Sequence, residues 1–480
     1  MIQADIVIRN GKVVSPDSVI AASVAIKDGL VISVGADEMM PQARETLDAK
    51  GMHVLPGAID VHVHFRDPGY PHKEDFASGT AAAAFGGVTT VFDMPNTVPA
   101  TGTPEILAAK HKMAAEKAHV DFGLYGLLGE DTIEHAPELA KTVIGFKLYM
   151  GNTFGAIPTP STGAMLEAFE VVAPTGKRVS LHAETNSIMV RRELRMREAG
   201  RIDPLAHIAS RPAVVAVEAV SRAAILSEWT GARIHILHIS SAEELRPLRE
   251  AKARGVDITG ETCPQYLFLS TDDYARFGGV IRVNPPVREK RNQEPLWAAL
   301  MDGTVDVIAT DHAPHSIEEK TRKDIWTVDC GFPGVETQMP MMLTEVAAGR
   351  YSVSDYVRWS SANPAKIWGF YPRKGVIQPG ADADIAIVDL DREWSIDDAK
   401  LRSLSKVTPF HGRAVKGLPM HTLVRGRFVM KDRTLVPATR GWGRSVHAIQ
   451  NLPAPRLNNT DNTMQAIVRA GAGQKREHAA

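Results

Sequence analysis

IDVHVHFRDPG, residues 59–69, places two imidazoles and a guanidinium at two-residue intervals, behind an apolar run and ahead of a Pro-Gly turn. Strand side chains repeat every two residues, so His62, His64 and Arg66 share one face. Three such groups on one strand need partners from elsewhere in the chain, and the flanking sequence shows how they are supplied.

From about residue 56 to 375, short β-rich apolar segments alternate with segments of helical pattern such as ASGTAAAAFGG, PAVVAVEAVSRAAILSEW and SSAEELRPLREAKARG. That alternation predicts βα units and a parallel sheet. The strands read AIDVHVHF, VTTVFDM, VDFGLYGLL, VIGFKLYM, RVSLHAE, RIHILHIS, then VDITGE or VIRVNP, then VDVIATD. Eight parallel strands with their helices predict an α/β fold, a closed (β/α)8 TIM-type barrel over residues 56–375. Residues 1–55 and 376–445 have period two, with turns at Asn10-Gly11, Asp28-Gly29 and Lys50-Gly51. Each piece is too short for a core of its own, so the two are expected to join as a small β-sandwich domain beside the barrel. Residues 446–480 are polar and expected to form a disordered or partner-wrapping tail.

The 480 residues, 44% hydrophobic, can bury a large core. A net charge of −1 and a pI near 7.0 give no reason to expect nucleic acid or an acidic membrane surface as partner. No apolar run approaches the roughly 18 residues of a membrane span, and the N-terminal pattern reads as a strand, not a signal sequence. Two cysteines, Cys263 and Cys330, make no disulfide framework and no all-cysteine metal site. A cytoplasmic protein is expected.

Catalytic groups of such a barrel sit at the C-terminal ends of its strands. Those ends carry His62 and His64, Asn96, Lys147, His182, His238 and Asp311 in order. Imidazoles with a carboxylate are the ligand set of borderline divalent metals such as zinc. A lone strand histidine is usually a satisfied core residue. His235 and His312 fit that description, each an odd number of residues from a candidate ligand and so facing away. The joint set does not fit it. Lys147 is the odd member: burial beside cations drives its amine toward neutrality, and a neutral amine can add carbon dioxide to give a metal-bridging carbamate. Two ions could then activate a water, with Asp311 placed to take its proton and pass it on, as base and then acid. The planar fork of Arg66 suits a carboxylate.

DVHVHFRDP at 60–68 and ATDHAPHSIEEK at 309–320 carry a resemblance. The chain, to about residue 445, resembles the cyclic-amide hydrolases of the amidohydrolase superfamily, most closely the dihydroorotases of pyrimidine biosynthesis. The resemblance implies one metal ion on His62, His64, carboxylated Lys147 and Asp311, and a second on the same carbamate with His182 and His238. It assigns Arg66, Asn96 and His315 to the carboxylate of dihydroorotate and Asn284 to contacts with the ring. It suggests a homo-oligomer, with aspartate carbamoyltransferase as a candidate partner. SRPAVVAVEAV, ETCPQYLFLS, EPLWAAL and FHGRAVKGLP instead resemble the allantoinase and hydantoinase/dihydropyrimidinase branch, whose cyclic ureides carry no ring carboxylate. Arg66 favours dihydroorotate; those ureides are the alternative. Some relatives are metal-free scaffolds, but this ligand set has no gaps. Gly331-Phe332-Pro333-Gly334 is expected to cover the pocket or to serve as a plain turn.

Overall fold

The computed structural model describes residues 3–155 and 157–452; the expected tail lies outside the described residues beyond residue 452. Eight strands form the barrel: β6 (Ala58–Val63), β7 (Val88–Asp93), β8 (Asp121–Leu127), β9 (Gly145–Tyr149), β10 (Arg178–His182), β11 (Arg233–Ile236), β12 (Ile258–Thr262) and β13 (Val307–Ile308), after five that precede them in the chain. Each pairs in parallel with the next. The seam between last and first is drawn together by a bridge from Val63 to His312, where the His64 N–H donates to His312 O at 2.7 Å. The seventh strand is VDITGE; VIRVNP begins in a short 3-10 turn instead. All six β6 residues are buried, as a parallel strand covered on both faces must be.

The helices pack outside, and their starts were written into the sequence. Asp75 caps Phe76–Phe85 by accepting from Ser78 N at 2.8 Å, and Ser161 caps Thr162–Val172 through Ala164 N. No helix among the described residues is long and apolar enough to cross a membrane.

The five preceding strands are β1 (Ala4–Val14), β2 (Val19–Lys27), β3 (Leu30–Gly35), β4 (Ala43–Asp48) and β5 (His53–Pro56). After the barrel come β14 (Ile385–Ser395), β15 (Ala414–Val424), β16 (Arg427–Lys431) and β17 (Thr434–Leu435). They build one continuous nine-stranded sheet in the order β17-β16-β15-β14-β5-β1-β2-β3, with β4 added alongside β1. The two terminal pieces meet where β5 pairs with β14. Ile8, Val24, Ile26, Val54, Ile385 and Leu423 form the sheet's own core. Asp28-Gly29 is the expected hairpin turn, with φ of 50° and 80°. Asn10-Gly11 is not a turn: Asn10 takes φ 55° and the β1–β2 register slips there, a bulge inside β1.

Beneath the barrel an ionic knot fastens it to the sheet. Lys374 Nζ lies 2.8 Å from Asp121 Oδ2 at the start of β8 and 3.2 Å from Asp382 Oδ2, and it also pairs with Asp384 just before β14. Arg425 pairs with Asp121, and its backbone N–H donates to Asp384 Oδ1 at 2.8 Å. These four residues around Arg425 are each under 5% exposed.

Candidate active site

Opposite that knot, the strand ends open into a pocket lined by His62, His64, Arg66, Asn96, Lys147, His182, His238, Asn284 and Asp311, together with Tyr149, Phe154 and Cys330. All six side chains expected to ligate metal therefore face one space. Three residues of the rim hold strained backbone: Arg66, His238 and Asp311 take φ of 62°, 40° and 50°. Non-glycine residues enter this left-handed region at a cost, and such strain gathers where side-chain aim matters.

The imidazoles form two groups. His62 Nε2 and His64 Nε2 lie 3.2 Å and 3.3 Å from the same oxygen, Asp311 Oδ1. His182 Nδ1 and His238 Nε2 point at each other across 2.9 Å. The outer nitrogens are tied back: His62 Nδ1 to Glu261 Oε1 at 2.6 Å, His64 Nδ1 to Asn96 Oδ1 at 2.7 Å, and His182 Nε2 to Glu184 Oε2 at 2.9 Å. An imidazole that donates from one nitrogen offers a lone pair on the other, so these partners choose which nitrogen faces the pocket. Burial lowers the pKa of all four rings and keeps them neutral, the form a metal needs.

Lys147 Nζ is fully buried, 4.7 Å from the Tyr149 ring, with no hydrogen-bond partner among the described residues. Burial pulls its pKa down, while burial pushes that of Asp311 up. An amine without an acceptor, two imidazole lone pairs aimed at one carboxylate oxygen and two more aimed at each other fit a pair of divalent cations. Without ions the cluster has more acceptors and orphaned atoms than a protein interior tolerates.

Arg66 is 2% exposed, with its guanidinium 4.4 Å from the Phe154 ring. Its Nε donates to Pro314 O at 3.3 Å, Nη1 has no partner, and burial lowers its pKa to about 10. Among the described residues it makes no ion pair; Asp67 pairs with Lys117 at 2.6 Å instead. His315 does not line the pocket: it stands behind Arg66, its Nε2 3.0 Å from Arg66 Nη2. Asn96 commits its side-chain oxygen to His64 and points its amide at Phe154 O, 3.4 Å away. Asn284 sits before a cis proline, its Oδ1 2.8 Å from His207 Nε2. Gly331, at φ 121°, packs its backbone on Ala313, and this loop brings Cys330 to the pocket wall.

His235 and His312 turn away from the pocket. His235 binds Thr259 and Glu261, and His312 Nδ1 accepts from Gly334 N at 3.1 Å. Sequence reasoning missed Tyr149, Glu184 and Glu261. Tyr149 follows Lys147, and Glu184 follows His182, at the two-residue step that already linked His62 to His64. Glu261 lies in the strand whose identity the sequence left open. Glu184 is fully buried; burial would raise its pKa, but the Arg211 charge and the His182 hydrogen bond outweigh that and hold it at about 2.

Residues 53–429 match the profile of the Amidohydrolase family. The chain is 36% identical over 451 residues to an L-hydantoinase of Paenarthrobacter aurescens, covering 92% of this chain and 98% of that one. It is 35% identical to an allantoinase of Solibacter usitatus, over 91% of this chain and 96% of that one. A dihydroorotase of Pelotomaculum thermopropionicum is 36% identical, over 90% and 99%. Among solved structures, the L-hydantoinase from Arthrobacter aurescens superposes with a TM-score of 0.90 at 35% identity, over 92% of this chain and 99% of that one.

Proposed function

We propose a function from the premise that this chain belongs to the amidohydrolase family: it opens cyclic amides by hydrolysis, and its ring substrate bears a carboxylate, as dihydroorotate does. One observation carries the finer reading, the buried Arg66 fork, whose Nη1 is unpartnered and which has no carboxylate within ion-pair distance among the described residues. A desolvated guanidinium without a counter-anion is costly, and a ring carboxylate is the bidentate partner its geometry fits.

Two divalent ions, zinc most readily for this donor set, would be held by His62, His64, Asp311, His182, His238 and a carbamate on Lys147; when bound they lower the pKa of a water and polarise the ring carbonyl. The Asp311 carboxylate takes the proton of the attacking water and returns it to the ring nitrogen, which is a poor leaving group until protonated. Burial, which raises the affinity of Asp311 for a proton, suits it to both halves of that transfer. The Tyr149 hydroxyl, buried and unpartnered on the pocket wall, is kept protonated by burial. It donates to the carbonyl oxygen as negative charge builds there. Arg66 holds the carboxylate and so fixes the ring over the reacting groups.

A cyclic ureide lacking the carboxylate is the second reading, favoured by the hydantoinase and allantoinase relatives. A panel of dihydroorotate, allantoin, dihydrouracil and hydantoin on the zinc-loaded protein separates the two. Turnover of dihydroorotate, abolished in Arg66→Ala with bound metal retained, is the expected result. Turnover of allantoin or hydantoin with none of dihydroorotate decides for the second reading.

A further inference from the structure

Each ring nitrogen of His315 sits between a group that can only donate and a group that can only accept. Nε2 is 3.0 Å from Arg66 Nη2 and 3.0 Å from Cys330 O. Nδ1 is 3.1 Å from Lys73 Nζ, 3.5 Å from an Asp329 oxygen and 3.7 Å from a Glu319 oxygen. A neutral imidazole carries one N–H, so it satisfies one neighbour at each nitrogen and disappoints the other. Burial, aided by the Arg66 charge, pushes the His315 pKa down to about 4, which removes the doubly protonated ring at neutral pH.

Distances decide between the tautomers. With the proton on Nε2, the ring makes two good bonds: Nε2–H to Cys330 O, and Lys73 N–H to Nδ1. With the proton on Nδ1 it keeps the Arg66 contact, but its other partner is Asp329 at 3.5 Å, outside the useful hydrogen-bond range. Lys73 is itself pinned. It is 4% exposed, lies 2.9 Å from Glu319 Oε1 and 3.1 Å from Asp329 Oδ2, and its ammonium stands 4.6 Å from the Phe154 ring. His315, Glu319 and Asp329 bring three ligand atoms within 4.8 Å of one another, and the Lys73 ammonium is the cation at that place.

We infer that Lys73 fixes His315 as the Nε2–H tautomer and thereby keeps both outer nitrogens of Arg66 free of an internal acceptor, open to a substrate carboxylate. Lys73 is thus a positioning residue for specificity, acting through His315. Among the described residues Arg66 Nη2 faces an N–H and Nη1 has no hydrogen-bond partner, a pair that a two-oxygen anion satisfies together. A neutral ring presents its carbonyl oxygens on separate carbons and without a charge. The inference rests on the carboxylate-bearing substrate proposed above.

The test uses zinc-loaded full-length protein with dihydroorotate and dihydrouracil, one ring with and without the carboxylate. Lys73→Met frees Nδ1 to take the proton and Nε2 to accept from Arg66. The expected result is a KM for dihydroorotate raised about tenfold, the worth of one charged hydrogen bond, with kcat and the KM for dihydrouracil little changed. An unaltered KM for dihydroorotate, or an equal rise for both rings, overturns the role of Lys73. Wild-type turnover of dihydrouracil alone is a different failure, that of the carboxylate reading. ¹⁵N NMR of histidine-labelled wild-type protein, with His315 assigned by the signals lost in His315→Gln, needs no functional variant. Protonated Nε2 with bare Nδ1 is expected, and the reverse pattern sinks the inference.

Discussion

The two ends of the barrel bury charge in opposite ways. At the bottom, Lys374 sits among Asp121, Asp382 and Asp384, Arg425 closes on Asp121 and Arg373 pairs with Asp382, so three cations face three carboxylates. At the top, Lys147 Nζ, Tyr149 Oη, Arg66 Nη1 and His238 Nδ1 are buried without hydrogen-bond partners among the described residues, and three rim residues hold left-handed backbone. Both regions are buried and dense in titratable groups, so burial alone does not mark a functional site. What separates them is satisfaction. A cluster whose charges are paired internally fastens elements together; one with buried donors and acceptors left unpaired is where the proposed ions and substrate would supply the partners. The barrel architecture agrees, since the strand C-termini carry chemistry and the opposite face carries stability.

The contrast can be broken from either end. Asp311→Asn should have the largest effect, a fall in kcat of about 10³-fold or more as the proton carrier is lost, with the thermal transition little moved; a mild kinetic effect would remove the top cluster from the chemistry. Lys374→Met should do the converse. Stripping the cation from three buried carboxylates is expected to lower stability by about 3–5 kcal/mol in chemical denaturation, while the protein that stays folded keeps its kcat and its metal. Glu184→Gln should have the smallest effect and sharpen the picture most. Loss of the carboxylate behind His182 should weaken binding of one of two zinc ions by about 10–100-fold, read by metal titration. If stability falls and both affinities hold, Glu184 belongs with the structural charges despite its place.

The orienting groups were hard to read from sequence for an identifiable reason. His62, His64, His182 and His238 declare themselves because each closes a strand, and strand ends are local features. Glu261 reaches His62 across 199 positions of chain, and Asn96 reaches His64 across 32. Nothing in the neighbourhood of either residue encodes that meeting. The resemblance assigned Asn96 and His315 to a substrate carboxylate; Asn96 lines the pocket with its side-chain oxygen on His64, and His315 contacts Arg66 Nη2 from behind. The Asn10-Gly11 pair carried the signature of a turn, but the partner strand continued past it, and pairing overrode local preference.

By itself the sequence determined an eight-stranded parallel barrel flanked by paired β segments, and a set of histidines, a lysine and an aspartate at its strand ends. It could do so because strand period, turn chemistry and strand-end position are short-range properties. The tertiary structure alone decided which nitrogen of each ring faces the pocket, which buried charges are cancelled and which are left open. Those outcomes depend on distances between groups remote in the chain, and in a dry interior a few tenths of an ångström decide whether a donor has found its acceptor.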